Sequence, residues 1–585
     1  MTKVAFCDST SATASPAWTS SPTSWSHRTT RTSSTSPNGG TTMSANATSF
    51  RITILIPFKA ARNLKGHTAS PKMAANPTEV TLRQGGDTPV RKLWLVFALC
   101  SLAFLGGAGE LTVAVSTEPP TLDPTSDPAA AIDLILHHNL YECLVQVGGS
   151  GEFHPQIAES WEVSGDGLVW TFHLREGVVF HDGTPCDAVA VRESFLRAMA
   201  PESLNPHPEY FADIAEVEVV DVRTVRFLLA RPVPYFLAVL AQADSAIVPV
   251  KPRTGRPLGE CPVGTGPFRF EEWRPGDRIV LERNPHYYLP GVPSLDRVTF
   301  RFIPDDAARV LALRAGDVDV AVDVPPQLAV ELQKDPDFTV ISGPMNLVQI
   351  LAINNSRPPF GRLMVRQAIA HAIDRKKIIE LVSLGFGTPI GSHLTPGMPY
   401  YVDLTELYPY NPERARELLA EAGYPNGFET TMTLPSNYEF HVRTGELIAA
   451  MLAAVGIEAS IQLVDWGTWL ERVYTQADYD LTVIGHVGRL DPALMLTGYG
   501  AERPDYYFRR GWRNGELERL LEEGKTCMDP ERRREIYVRA QRIIAEEVVN
   551  YFIQDPHRII AARAGVEGLA VYPLYVLDLA HVSTG

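Results

Sequence analysis

The chain has 585 residues, of which 45% are hydrophobic and 21% charged, a composition typical of a soluble globular protein with two or three domains. The charge is uneven, because residues 1–109 carry 11 Lys or Arg against 3 Asp or Glu, whereas the remainder carries 42 against 65. An acidic body argues against nucleic acid as a partner, since phosphates need a basic face, and against docking on anionic lipid.

A short apolar run near residue 100 predicts an export signal. Leu93–Leu105 spans 13 residues, fewer than the roughly 20 that a membrane helix needs. Arg91-Lys92 precedes this run, and Gly106-Gly107-Ala108-Gly109 follows it. A positive segment, a short apolar segment and small residues in this order are typical of a secretory signal, although a buried core helix is the alternative. We therefore expect residues 90–109 to be a signal peptide.

Residues 1–89 are rich in Ser and Thr and show no sustained periodicity, so we expect them to be disordered. Two explanations for this segment stay open. Translation could begin later, at Met73 or Val90, or the segment could be an organelle transit peptide. The residues before Cys100 are not small, which favours export without a lipid anchor but leaves anchoring open.

From Glu110 onward, short strands alternate with helices. The first part predicts antiparallel strand pairs joined by polar turns; these are Trp161–Val163 with Val169–Leu174, Val217–Val220 with Thr224–Leu229, and Phe268–Trp273 with Arg278–Arg283. The later part predicts helix–strand units; these comprise Asp305–Ala315, Val318–Val322, a helix from Asn411-Pro412 to Ala422, Phe440–Val455, Ile457–Val464, Trp466–Tyr474, Tyr479–Ile484, Glu516–Glu523 and Pro530–Glu547. This alternation predicts an α/β fold.

Four cysteines follow the signal segment, at positions 143, 186, 261 and 527. An even number permits two disulfides, and four free buried thiols are the equal alternative. The spacing contains no Cys-x-x-Cys pair, so it indicates neither a zinc nor a redox motif.

Several stretches resemble the peptide- and nickel-binding receptors of ABC importers, family 5 of the extracytoplasmic solute-binding proteins. They are Pro155–Pro185, Val263–Phe270 with Leu281–Tyr288, Ala352–Ile379 and Tyr410–Tyr424, in the family's order. The resemblance implies capture of a peptide or other small solute and its delivery to the membrane subunits of an ABC permease, outside the cytoplasmic membrane. It implies a monomer that is not an enzyme and needs no cofactor or metal. A sensor that presents its ligand to a membrane receptor, and a carbohydrate-binding member of the same family, are the alternatives.

The resemblance also implies a two-lobed clamp of type II in its large cluster, with an extra subdomain in lobe one. Lobe one would hold residues 110–353 plus 554–585, and lobe two would hold residues 356–550. Hinge strands would cross near Ile353–Asn355 and Phe552-Ile553, and the lobes would close over ligand.

The segment Gly485–Leu496 is expected to open into the cleft. In the family's peptide receptors an aspartate in this segment pairs with the ligand α-amine, and Gly488 occupies that position here. A buried ammonium needs an anion, so we expect a sugar, an anionic solute or a modified peptide, with Gly488 leaving room and Arg489 offering a cation. Asp491, which precedes Pro492, is either a helix cap or a ligand contact.

Aromatic and histidine side chains near this segment complete the candidate site. Trp466 is expected either to stack on a ligand ring or to pack at a helix start, whereas Trp469 is expected in the core. His393 and Tyr400 lie in a loop that approaches the cleft in related receptors. The sequence shows no nucleophile and base for a hydrolase, and single histidines are a weak metal signal.

Overall fold

The computed structural model describes residues 109–585. The predicted disordered segment 1–89 and the signal segment up to Ala108 lie outside the described residues. None of the helices between Gly109 and Gly585 is both long and apolar enough to cross a bilayer.

The strands and helices are numbered separately in chain order. The strands are β1 Glu110–Val115, β2 Val145–Val147, β3 Phe153–Pro155, β4 Ala158–Val163, β5 Val169–Leu174, β6 Ile214–Asp221, β7 Thr224–Leu229, β8 Phe268–Arg274, β9 Arg278–Arg283, β10 Arg297–Phe302, β11 Val320–Val322, β12 Phe338–Pro344, β13 Leu347–Ile353, β14 Gly387–Pro389, β15 Phe428–Pro435, β16 Ile457–Val464, β17 Leu481–Val487, β18 Asn550–Arg563, β19 Val566–Glu567 and β20 Ser583–Thr584. The α-helices are α1 Ala130–Leu136, α2 Ala188–Met199, α3 Phe236–Leu240, α4 Asp306–Ala315, α5 Pro326–Leu332, α6 Leu363–Ala372, α7 Arg375–Leu381, α8 Pro412–Glu421, α9 Glu439–Ala453, α10 Trp466–Trp469, α11 Pro492–Met495, α12 Gly515–Thr526 and α13 Pro530–Glu546.

A large mixed sheet organises the molecule. Among the described residues it has twelve strands, ordered β16-β15-β17-β13-β18-β11-β1-β10-β9-β8, with β12 and β14 also paired to β18. The 14-residue β18 pairs first with β13, where Phe552 lies opposite Ile350, and later with β12, where Ile560 lies opposite Ile341. β18 therefore forms hydrogen bonds with strands in both halves of the sheet.

The predicted antiparallel pairs are confirmed. β4 pairs with β5, β6 with β7 and β8 with β9. The first two pairs form a separate four-stranded sheet in the order β4-β5-β7-β6. Helix α2 packs against this sheet, and the Asp187 carboxylate caps it by accepting the N–H groups of Val189 and Ala190.

The predicted helix–strand units of the later part are also confirmed. β15 runs parallel to β16 and β17. Helix α8 begins at Pro412, and the Asn411 side chain accepts the N–H of Arg414. Helix α9 is followed by Gly456 with φ of 94°, a left-handed conformation that suits glycine and turns the chain into β16.

One strand boundary differs from the prediction. The strand expected over Tyr479–Ile484 begins at Leu481 and continues to Val487. The carbonyls of Ala477 and Tyr479 accept from the Asn354 side chain instead of joining the ladder, whereas β13 pairs with the added residues as far as Val487. The helix expected over Trp466–Tyr474 is α10 followed by a π-helical turn over Leu470–Thr475.

Several apolar cores fill the described part of the chain. A first core is built mainly from residues 111–300, and further cores lie under residues 348–552. Leu490 belongs to the first core although its neighbours in sequence belong to the later part, and Tyr235 packs against both the first core and a later one. The loop at Leu490 therefore makes contact between the first part of the chain, residues 111–300, and the later part, residues 348–552.

All four cysteines between Gly109 and Gly585 are free thiols. Cys143 and Cys186 are buried, and burial raises the pKa of both thiols. The structure thus agrees with four free thiols and not with two disulfides, but Cys261 and Cys527 are only partly buried.

Candidate ligand-binding site

The loop that follows β17 is the centre of the candidate site. β17 ends at Val487 and α11 begins at Pro492, so the loop consists of residues 488–491. Leu490 is only 5% exposed and anchors the loop in the first core. The three other loop residues are those that the sequence analysis selected as ligand contacts.

Gly488 does not offer the free space that we expected from the sequence. Its N–H donates to the main-chain oxygen of Asn346 at 2.5 Å. A Cβ atom at this position would overlap that oxygen and the Asn346 side-chain amide. The glycine is therefore needed for close backbone contact between two segments, which corrects the expectation that it leaves room for ligand.

Asp491 is a helix cap, as one of the two expectations had it. Its Oδ1 accepts the N–H of Ala493 at 2.7 Å. The Arg533 guanidinium donates to both carboxylate oxygens, at 2.6 Å and 2.8 Å. Both residues are buried, so the carboxylate is fully used within the protein and holds the loop in place.

Arg489 contacts residues that lie far from it in sequence. Its Nη2 donates to His207 Nε2 at 3.5 Å, and its guanidinium lies 5.7 Å from the ring centre of Tyr210. His207 Nδ1 donates in turn to Asp244 Oδ2 at 2.9 Å, and its ring stacks on Tyr210. These contacts connect the loop to the part of the chain that builds the first core.

The carboxylate of Asp133 interacts electrostatically with two of these residues, Asp244 and Arg489. Asp133 is the partly exposed position in the middle of α1, between the buried Ile132 and Leu134. Burial raises its pKa well above the ordinary value, the Asp244 carboxylate raises it further, and Arg489 acts in the opposite direction. Within residues 109–585, no hydrogen bond lowers the pKa of Asp133. Such a carboxylate is stabilised when a cation approaches it.

The tryptophans are arranged as a stack. Trp466 lies parallel to Trp469, with ring centres 5.0 Å apart and planes at 6°, and Tyr438 meets Trp466 edge-on. Trp469 is 1% exposed and donates from Nε1 to Thr482, so its expected core position is confirmed. Trp466 remains partly exposed at the start of α10, with one face covered by Trp469. Contact between Trp466 and a ligand stays a prediction.

His393 is more enclosed than we expected from the sequence. It is 2% exposed, its Nδ1 is 2.8 Å from the Tyr499 hydroxyl, and its ring stacks on His486 at 5.0 Å. Burial, and then the neighbouring His486, lower the pKa of His393 well below its ordinary value. His393 thus packs within the later part, and a ligand contact by its side chain stays a prediction.

Tyr400 is partly exposed and has a left-handed backbone with φ of 63°. Its ring stacks on Tyr537, and the guanidinium groups of Arg533 and Arg534 lie 5.5 Å and 5.7 Å from its centre. It therefore supports the Asp491–Arg533 pair. No group of three His, Cys, Asp or Glu side chains between Gly109 and Gly585 has a geometry that could hold a metal ion.

Sequence reasoning missed the partners of Arg489. They include His207 and Tyr210, which Arg489 contacts, and Asp133, on which its charge acts. Asp244 is connected through His207. His207 and Arg489 are 282 residues apart, so no local pattern connects them.

Comparisons with known proteins agree with this architecture. Residues 152–504 match the family model described as bacterial extracellular solute-binding proteins, family 5 Middle. The glutathione-binding protein GsiB of Escherichia coli O1:K1 is 30% identical over 462 residues, which cover 77% of this chain and 89% of that protein.

Solved structures give the same result. The periplasmic binding protein AgaA of A. tumefaciens R10, in complex with agropinic acid, superposes with a TM-score of 0.66 at 30% identity, covering 82% of this chain and 99% of that one. The ABC transporter-associated protein DppA of Helicobacter pylori, in complex with the peptide STSA, has a TM-score of 0.66 at 28% identity, covering 81% and 98%. The expected α/β fold of a two-lobed clamp is confirmed. Since the family model matches more than half of its residues, this chain belongs to family 5 of the bacterial extracellular solute-binding proteins.

Proposed function

We propose that this protein captures a small peptide-like solute in a cleft between two lobes and delivers it, chemically unchanged, to an ABC permease. The observation that carries the proposal is the contact of Arg489 with His207 and Tyr210. A loop of the later part meets the first part there through charged groups, which is where a clamp holds a polar ligand. The protein would act outside the cytoplasmic membrane after export through the predicted signal peptide.

The charges around Arg489 favour a ligand with both an ammonium and a carboxylate. An approaching ligand amine would favour the ionised form of Asp133, and Asp244 adds negative charge nearby, so the amine does not require a carboxylate at Gly488. Arg489 provides the matching positive charge. This revises our expectation from the sequence, in which Gly488 argued against a free amine. GsiB is named for glutathione and DppA was solved with a peptide, and both of those molecules carry the two charges.

The strand register supports a hinge at the centre of β18. β12 pairs with the later half of β18 and β13 with the earlier half. The chain would therefore cross between lobes near Met345-Asn346, about eight residues before the first crossing predicted from the sequence, and again near Asp555. Lobe one would then end near residue 345, not at residue 353 as the family resemblance implies, and lobe two would hold the residues between the two crossings, including β13.

The test begins with native mass spectrometry of the protein purified from its source without residues 1–109. Identification of the molecule released on unfolding gives the ligand class. A released peptide or amino-acid derivative supports the proposal. A released neutral sugar contradicts it and favours the carbohydrate-binding alternative.

Calorimetric titration with the released molecule then locates the site. Asp133→Asn and Arg489→Gln are each expected to weaken binding by about tenfold or more, because each removes one charge partner of the ligand. Asp337→Asn, at an exposed position away from the loop, is the matched control and should bind as the wild type does. Unchanged affinity in both site variants would place the ligand elsewhere.

A further inference from the structure

We propose that a cavity beside the first core, apart from the group around Arg489, binds a small organic ammonium ion. The cavity has a volume of ≈ 260 Å³ and shares no lining residue with the group around Arg489. Its wall is formed by the β2–β3 hairpin, the chain after α1, the residues after β9 and the C-terminal segment. This volume is large enough for several waters or for one small organic molecule.

Carboxylates dominate the charge of the wall. Glu142, Glu152 and Asp578 line the cavity, and Arg175 is the one Lys or Arg among the lining residues. The Arg175 side chain is already held, because its Nε donates to the main-chain oxygen of Gln156 at 2.6 Å. Three histidines also line the cavity, and two of them contact the acids, His138 at Asp578 and His154 at Glu152. The acids still outnumber the single arginine, which favours a cation over an anion.

Glu142 is the most deeply placed of these acids. It is 1% exposed and accepts hydroxyl hydrogen bonds from Thr265 at 2.8 Å, Tyr287 at 2.9 Å and Tyr288 at 2.8 Å. Burial raises its pKa to about 7 against the effect of these hydrogen bonds. Among the described residues no Lys or Arg forms an ion pair with it. His138 favours the ionised carboxylate of Glu142, and a bound cation would add opposite charge.

His138 gives an observation that is independent of the acids. It is 3% exposed, lines the cavity and has a left-handed backbone with φ of 67°. Its Nδ1 donates to Asp578 Oδ2 at 3.4 Å, but its Nε2 has no hydrogen-bond partner between Gly109 and Gly585. A buried polar atom without a partner, on a residue in an uncommon backbone conformation, is a feature of functional sites.

Tyrosine rings complete the wall. Tyr287 and Tyr288 lie side by side with ring centres 4.5 Å apart, and Tyr572 meets the His138 ring edge-on at 6.3 Å. The Arg175 guanidinium lies 5.7 Å from the centre of the Tyr288 ring, so one cation already packs on this aromatic surface. Tyrosine faces next to carboxylates attract alkylammonium ions through charge and cation–π contact together.

The test is a titration of the protein without residues 1–109 with n-propylammonium chloride, followed by calorimetry. We expect saturable binding, with neutral n-propanol binding at least about tenfold more weakly because it lacks the charge. No saturation would mean that the cavity holds only water and would overturn the proposal. Equal binding of n-propanol would overturn it as well.

Variants of the wall locate the binding. Asp578→Asn is expected to weaken the affinity for n-propylammonium by about tenfold, and Glu152→Gln, at the exposed rim, by about threefold. Glu176→Gln is the control, because this side chain is 88% exposed and does not line the cavity. Circular dichroism verifies the folding of each variant. If Asp578→Asn does not fold, the affinity of Glu152→Gln for n-propylammonium tests the proposal by itself.

A further arm of the same titration tests whether the ammonium ion binds in the proposed cleft around Arg489 instead of in this cavity. Asp133→Asn should leave the affinity for n-propylammonium unchanged, since Asp133 does not line the cavity. If Asp133→Asn abolishes binding while Asp578→Asn and Glu152→Gln do not, the ammonium ion binds in the cleft and the proposal is wrong. The proposed capture of a peptide-like solute would not be affected by that result.

Discussion

Asp491 and Arg533 form a buried ion pair through two hydrogen bonds of 2.6 Å and 2.8 Å beneath the loop that carries Arg489. The same carboxylate caps α11 through the N–H of Ala493. The Arg533 guanidinium also lies 5.0 Å from the ring centre of Tyr537. The direction of the loop therefore depends on an arginine 42 residues away in sequence.

Replacement of Arg533 by Met should destabilise the protein strongly. It leaves the Asp491 carboxylate buried without a cation, which costs about 3–5 kcal/mol in the free energy of unfolding. Denaturant unfolding at neutral pH measures this loss. The slope of the transition shows whether the folded state stays compact.

The matched control for this variant is Arg539→Met on the same helix, α13. Arg539 pairs with Glu516, but both side chains are nearly half exposed, so the loss should stay below about 1 kcal/mol. Similar losses in the two variants would show that the Asp491–Arg533 pair does not support the loop as we describe it.

Gly488→Asp should destabilise the protein rather than create a binding site for an amine. The new side chain would overlap the main-chain oxygen and side-chain amide of Asn346, and such overpacking costs about 1–3 kcal/mol. Thermal unfolding compares the variant with the wild type.

Gly397→Asp is the control for this substitution, because a Cβ at Gly397 meets no atom within 4 Å. We expect its midpoint to stay close to that of the wild type. A Gly488→Asp protein that is as stable as this control would mean that the loop can move away from Asn346.

Local features of the site could be predicted from sequence, whereas its long-range pairs could not. The cap at Asp491 followed from Asp before Pro, because capping depends on atoms within about three residues. The contact of His207 with Arg489 requires the whole intervening chain to fold, and neither residue carries a local mark of it. Gly488 was misjudged for the same reason, since the atoms that exclude a side chain belong to the distant Asn346.

The shared strand β18 shows a similar limit of sequence patterns. Its run Asn550–Arg563 is buried over most of its length, so it lacks the alternation that marks a half-exposed strand. The hairpins of the first part were predictable because polar turns separate short strand-forming runs, as at β4 and β5. Which strands then meet on β18 is decided by packing of the completed halves.

Asp555, in the centre of β18, should make stability depend on pH. Its side chain is 0% exposed, and burial raises its pKa from the ordinary 3.8 to about 7, although it accepts the N–H of Leu347. The folded protein binds this proton more tightly than the unfolded chain does. Stability is therefore lost as pH rises from about 4 to about 7, by up to about 4 kcal/mol, and the loss stays constant at higher pH.

The measurement for Asp555 is the difference in the free energy of unfolding between Asp555→Asn and the wild type across this pH range. The asparagine has no proton to lose, so its advantage over the wild type should grow between pH about 4 and about 7. The exposed Asp337→Asn serves as control and should show a flat difference. A flat difference for Asp555→Asn would mean that water reaches this carboxylate in the folded protein.

His441 should act in the opposite direction and make the protein sensitive to acid. It is 8% exposed, and burial, followed by the nearby His486, lowers its pKa to about 3. Its Nδ1 accepts from the Gln349 side chain at 3.1 Å, which requires the ring nitrogen to be unprotonated. The unfolded chain takes up this proton more readily, so stability is complete above pH about 6.5 and falls by up to about 5 kcal/mol towards pH about 3.

The contributions of His441 and Asp555 partly cancel in the wild-type pH profile, so only differences between variants resolve them. His441→Gln carries no titrating group and should lose less stability than the wild type between pH about 6.5 and about 4. His286→Gln, at an exposed position, is the control and should follow the wild type. Parallel profiles of His441→Gln and the wild type would mean that His441 is protonated in the folded protein without loss of stability. Water would then reach His441 despite its burial beside His486.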